Sequence, residues 1–137
     1  TTEIYTLSLH DALPISGQDV YYSYSRFNVS GAGSYIGKID EENSYYVIKN
    51  SESLIAEDGL PYIRNTGYGK VVGKNNDGCE FTFWSNESID NFKIAGELEI
   101  TPKTGTGIFE GSSGTLDIVG SDVNTLWFCI EGNLVFE

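Results

Sequence analysis

Residues 93–101 read Lys-Ile-Ala-Gly-Glu-Leu-Glu-Ile-Thr, an alternation of apolar and polar side chains with a period of two. A period of two sends successive side chains to opposite faces of an extended chain; a helix would need a period of 3.6. Ile94, Gly96, Leu98 and Ile100 form one face, opposed by Lys93, Ala95, Glu97, Glu99 and Thr101. The same rhythm recurs at 67–74, 79–85, 114–119 and 126–136. Cys79, Phe81 and Phe83 share a face, as do Leu116 with Ile118, and Leu126, Phe128 and Ile130 with Leu134 and Phe136. Such half-apolar strands are the mark of an antiparallel sheet with one face buried.

The punctuation agrees. Asn75-Asn76-Asp77-Gly78 is expected to be a hairpin turn, because Asp-Gly supplies the positive φ angles a tight turn needs. Residues 19–29 are aromatic and β-branched without helical spacing, and Ser30–Gly33 reads as a turn. Residues 34–39 and 44–49 are short strands around Asp40-Glu41-Glu42-Asn43. Residues 51–64 are the least regular, with Leu54–Glu57 expected as one helical turn broken by Pro61. About eight short strands with almost no helix predict an all-β fold, a single antiparallel β-barrel.

Charge and length narrow the function. The chain has 137 residues, enough for one domain with a sizeable core. Its net charge is −12, which argues against nucleic acid and against anionic membrane surfaces. No apolar run reaches the roughly 18 residues of a spanning helix. Two cysteines allow one disulfide, but Cys79 lies with Phe81 and Phe83 while Cys129 lies with Glu131 and Asn133, so strand alternation disfavours a bridge.

The first sixteen residues, TTEIYTLSLHDALPIS, stand apart. They resemble the conceptual translation of a common short-read sequencing-library adapter, continuous through Ile15. We therefore expect 1–16 to be a non-native, poorly packed extension, and 17–137 to be the barrel domain. Its deletion is expected to leave the melting temperature unchanged. Without it 121 residues remain, with 8 basic and 18 acidic side chains and no histidine. Lack of histidine removes Ser-His-Asp triads, Cys-His dyads and His-ligated metals. We expect no metal and no cofactor. The native N-terminus would then lie upstream of Gly17, and a secreted or periplasmic location is favoured over others without a signal peptide to fix it.

Leu98–Thr101 is followed by Gly105-Thr106-Gly107-Ile108-Phe109-Glu110-Gly111-Ser112-Ser113-Gly114. This run resembles the GxGxFEGxxG-type signature of the allene oxide cyclase barrel superfamily, which includes the dirigent-like proteins. The likeness covers roughly residues 66–136, including the hairpin and the aromatic strand at 126–132. It implies a calycin-like, allene oxide cyclase-like barrel with an apolar cavity, and trimers in some relatives. The glycines would permit a tight bend, and Phe109 would plug a barrel end. A phosphate loop is excluded because a strand, not a helix, follows.

The resemblance implies a small apolar ligand, and in plant cyclases an unsaturated fatty-acid epoxide. Phe81, Phe83, Phe128, Tyr22 and Tyr24 are the expected ligand-lining residues. Glu80 and Glu131, each set among aromatics, are the candidate catalytic carboxylates, since burial in an apolar cavity would raise their pKa. Strand alternation instead points both to solvent. The leading expectation is a non-catalytic binding barrel, monomeric or homo-oligomeric, with a lipid-directed cyclase or isomerase and an assembly barrel as alternatives.

Overall fold

A computed structural model describes the backbone of residues 2–14, 25–88, 93–122 and 127–137, and the side chains of 26–88, 93–119 and 129–137. Nine strands form one antiparallel curled sheet. They are β1 (Thr2–Pro14), β2 (Ser25–Gly33), β3 (Gly37–Lys38), β4 (Tyr45–Ile55), β5 (Pro61–Val72), β6 (Gly78–Ser88), β7 (Ile94–Ile100), β8 (Ser112–Asp122) and β9 (Trp127–Phe136). The order is β1-β9-β8-β7-β6-β5-β4-β2-β3, and β1 also pairs with β2. The fold is therefore all-β and barrel-like, with eight strands in the ring and β3 appended to β2.

Each hairpin from β4 to β9 joins neighbours in sequence, so the alternating pattern is transferred from strand to strand in register. Phe81 stands opposite Gly69 and Ile100, and Phe83 opposite Gly67 and Leu98. Gly69 has a steric reason: a Cβ there would overlap the Phe81 ring and the Tyr45 carbonyl. At Gly67 the Val47 carbonyl comes closer still, beside the bulge between Ile48 and Asn50.

The core is packed at one end. Val29, Val71, Cys79, Phe81, Leu98, Ile100, Leu116, Ile130 and Leu134 are buried there, with Phe109 across the end. Tyr35, from the connection before β3, packs edge-on against Phe109 and Phe136 at 5.2 and 5.9 Å. Its hydroxyl donates to the Ile108 carbonyl at 2.6 Å. Burying each large apolar side chain contributes about 1.5–3 kcal/mol, so this plug anchors the β7–β8 connection. Ser44, fully buried, ties the same end to β5. Its Oγ accepts from the Val72 N–H at 2.9 Å and donates to the Val72 carbonyl at 3.2 Å.

Several local expectations change. Residues 51–64 form no helical turn: β4 continues to Ile55 and Pro61 opens β5. Proline is tolerated as a first strand residue because its missing N–H need not enter the ladder. Ser30–Gly33 is strand, not turn, and the bend follows at 34–36. The 75–78 turn holds, but its left-handed residues are Asn75 (φ 65°) and Asn76 (φ 61°), with a short 3₁₀ turn at Lys74–Asn76. The signature becomes a 3₁₀ turn at Gly107–Phe109, where Gly107 (φ 59°) lets the backbone press against Asp77. The Asp77 Oδ1 accepts the Ile108 N–H at 3.1 Å, so the two connections brace each other.

Candidate functional site

The inner face divides along the barrel axis. Towards the plug it is aliphatic and packed. Towards the other end, which we label the mouth, the inward register of β6 passes from Phe83 to Ser85 and then Glu87. Asn65 lies opposite Ser85, and Gly96 completes that row on β7. Glu87 stands between Ile63 of β5 and Ile94 of β7. Ser85 is buried, while Asn65 and Glu87 are half-buried.

An aromatic floor separates the two halves. Phe27 and Tyr46 face each other across β2 and β4 and stack at 5.0 Å with an interplanar angle of 21°. Tyr46 meets Phe83 edge-on at 5.9 Å, and Phe83 lies 6.4 Å from Phe81. Burial pushes the Tyr46 phenol upward, and the Glu87 carboxylate adds to the rise by repelling the phenolate. The phenol therefore stays protonated at neutral pH and keeps its O–H as a hydrogen-bond donor.

The candidate carboxylates sit elsewhere. Glu80 is exposed on the outer face of β6, opposite Lys70. Glu131 is exposed on the outer face of β9, opposite Asp117. Phe81 belongs to the packed core, and Phe83 lies at the floor of the mouth. Tyr22, Tyr24 and the Phe128 side chain lie outside the described residues. Among the described residues, no group of three metal-ligating side chains comes together. Cys79 and Cys129 are free thiols, the first buried and the second half-buried.

Sequence reading missed Glu87 because it ended the strand at Ser85. The signal was present: residues 79, 81, 83, 85 and 87 share one parity, and nothing before Asp90 stops a strand. Among the described residues, surface clefts lie outside the barrel. One, of about 550 Å³, is lined by Ala56–Asp58, Leu60–Tyr62 and the outer ends of β6 and β7. Another, of about 430 Å³, lies between the Lys38–Glu42 segment and the Lys74–Asn76 turn. No protein-family model matches the chain, nor does any curated protein or any solved structure.

Proposed function

We propose that this protein is a non-catalytic barrel that binds a small apolar ligand at the mouth. One observation supports the reading: the inner face is packed and aliphatic at the plugged end, and beyond an aromatic floor it changes to a rim bearing a few polar groups. Sites for small molecules have that composition, with apolar surface for affinity and sparse polar atoms for orientation. Phe27, Tyr46 and Phe83 supply the apolar floor, and Asn65, Ser85 and Glu87 the polar rim.

The test is a titration with the uncharged dye Nile red. Saturable binding with a blue-shifted emission is expected. Ser85→Leu, which adds bulk at the rim, should weaken it at least about tenfold while near-ultraviolet circular dichroism stays native. Absence of saturable binding to the native chain rejects the reading.

A cyclase or isomerase is the second reading, and the observation in its favour is Glu87 on the inward register beside Tyr46. A carboxylate and a protonated phenol are a base and an acid in one apolar site. Turnover of an unsaturated fatty-acid epoxide, abolished by Glu87→Gln, would establish it over simple binding.

A further inference from the structure

The charge of the mouth selects what can bind there. All eight Lys and Arg residues lie among the described residues, and none occupies an inward register position. The six lysines are exposed. Arg26 sits over the outward Tyr45 ring at 3.9 Å, and Arg64 lies 5.6 Å from the Trp84 ring on the outer face of β5 and β6. Arg64 is further held there by its Nε, which donates to the Asn86 Oδ1 at 2.9 Å. Neither guanidinium faces the interior. The inward face thus carries Glu87 and no basic Lys or Arg to balance it.

An anionic head entering this mouth would leave water, meet no counter-charge and stand near a like charge. Both effects oppose binding. A cationic or hydrogen-bond-donating head would meet a carboxylate flanked by Ile63 and Ile94, where lower polarity strengthens attraction. We propose that the mouth takes an apolar molecule ending in an amine, an alkylammonium, rather than a fatty-acid carboxylate. The proposal rests on the ligand-binding reading above and names its ligand class. Asn65 and Ser85, one row deeper, can accept the remaining ammonium protons.

The experiment displaces Nile red from the full chain with dodecylammonium, dodecanol and dodecanoate, each below its micelle concentration and in 0.15 M salt. Salt of that strength screens the general attraction of an acidic surface for amines, with a Debye length of about 8 Å. Binding in the order amine, alcohol, carboxylate is expected, with the amine at least about tenfold tighter than the carboxylate. Glu87→Gln should bring the amine to within about threefold of the alcohol, whereas Glu99→Gln, on the outer face, should leave the order unchanged. Carboxylate binding equal to or tighter than amine binding overturns the proposal and leaves the binding barrel standing. An amine preference untouched by Glu87→Gln also overturns it. Failure of the dye and all three chains to bind rejects the barrel reading itself.

Discussion

Asp117 of β8 stands directly across the ladder from Glu131 of β9, and both side chains are exposed. On its other side Asp117 faces Glu97 of β7. Like charges directly opposite on adjacent strands repel, and each such pair costs about 0.2–1 kcal/mol. Asp117→Lys would turn two repulsions into two attractions. We expect it to raise stability by roughly 0.5–1.5 kcal/mol in low salt, read as a shift of the urea midpoint. In 0.5 M salt most of the gain should vanish, because Asp117 and Glu131 are exposed and Glu97 is only half-buried. A gain independent of salt would point to packing instead.

Ser44 is a larger liability. Its Oγ is the acceptor for the Val72 N–H, while the Val72 carbonyl has a second donor in the Asp40 N–H at 2.8 Å. Ser44→Ala therefore orphans a buried N–H but not the carbonyl. A cost of about 1–3 kcal/mol is expected in chemical denaturation. Ser44→Thr, which keeps the hydroxyl, should recover part of it, and an equal loss in both variants would mean that shape, not the hydrogen bond, matters.

Alkaline pH tests the interior. Burial pushes the Cys79 thiol up from its ordinary value of about 9 to about 12, with Glu80 adding a smaller push. The Tyr46 phenol is raised in the same sense. Both groups hold their protons more tightly when folded, so the unfolded state releases them first as pH rises. Stability is then unaffected below about pH 9 and falls above it, by on the order of 1 kcal/mol per pH unit for each group. Tyr46→Phe should flatten this decline above pH 10. Cys79 should also resist a thiol reagent at pH 8 in the native chain and react in denaturant, since the thiolate is the nucleophile.

Much of the architecture follows from residue parity alone. The inward sets Cys79-Phe81-Phe83, Leu98-Ile100, Leu116-Ile118 and Ile130-Leu134 are legible because one face is buried, which makes each register slip costly. Residues 51–64 were not legible. Their strand segments carry Ser51, Glu52 and Ser53 near the mouth, where the interior is less apolar and the alternation fades. Glu87 was missed because the alternation was followed only as far as Ser85. Glu80 and Glu131 drew attention by their aromatic neighbours in sequence, but adjacent residues in a strand face opposite ways. Glu87, two residues beyond the last buried position, has the inward parity they lack.

The last prediction concerns β1. Thr2–Leu9 pairs with Phe128–Val135 of β9, and Leu7–Pro14 pairs with Phe27–Gly33 of β2, with a bulge between His10 and Leu13. The strand that resembles a translated adapter thus lies between the two ends of the sheet. Ladder hydrogen bonds are made by backbone, so a slot of this kind can be filled without a tailored sequence. Deleting residues 1–16 would expose the edges of β2 and β9, and open edges promote association. On this geometry the deletion is expected to lower the melting temperature by several degrees and to produce concentration-dependent oligomers in sedimentation. A synthetic peptide of residues 1–16 added in trans should reverse both changes. An unchanged melting temperature with a monomeric product would mean that the leader contributes nothing to the fold, as its adapter-like sequence suggests, and that the ring is held together without it.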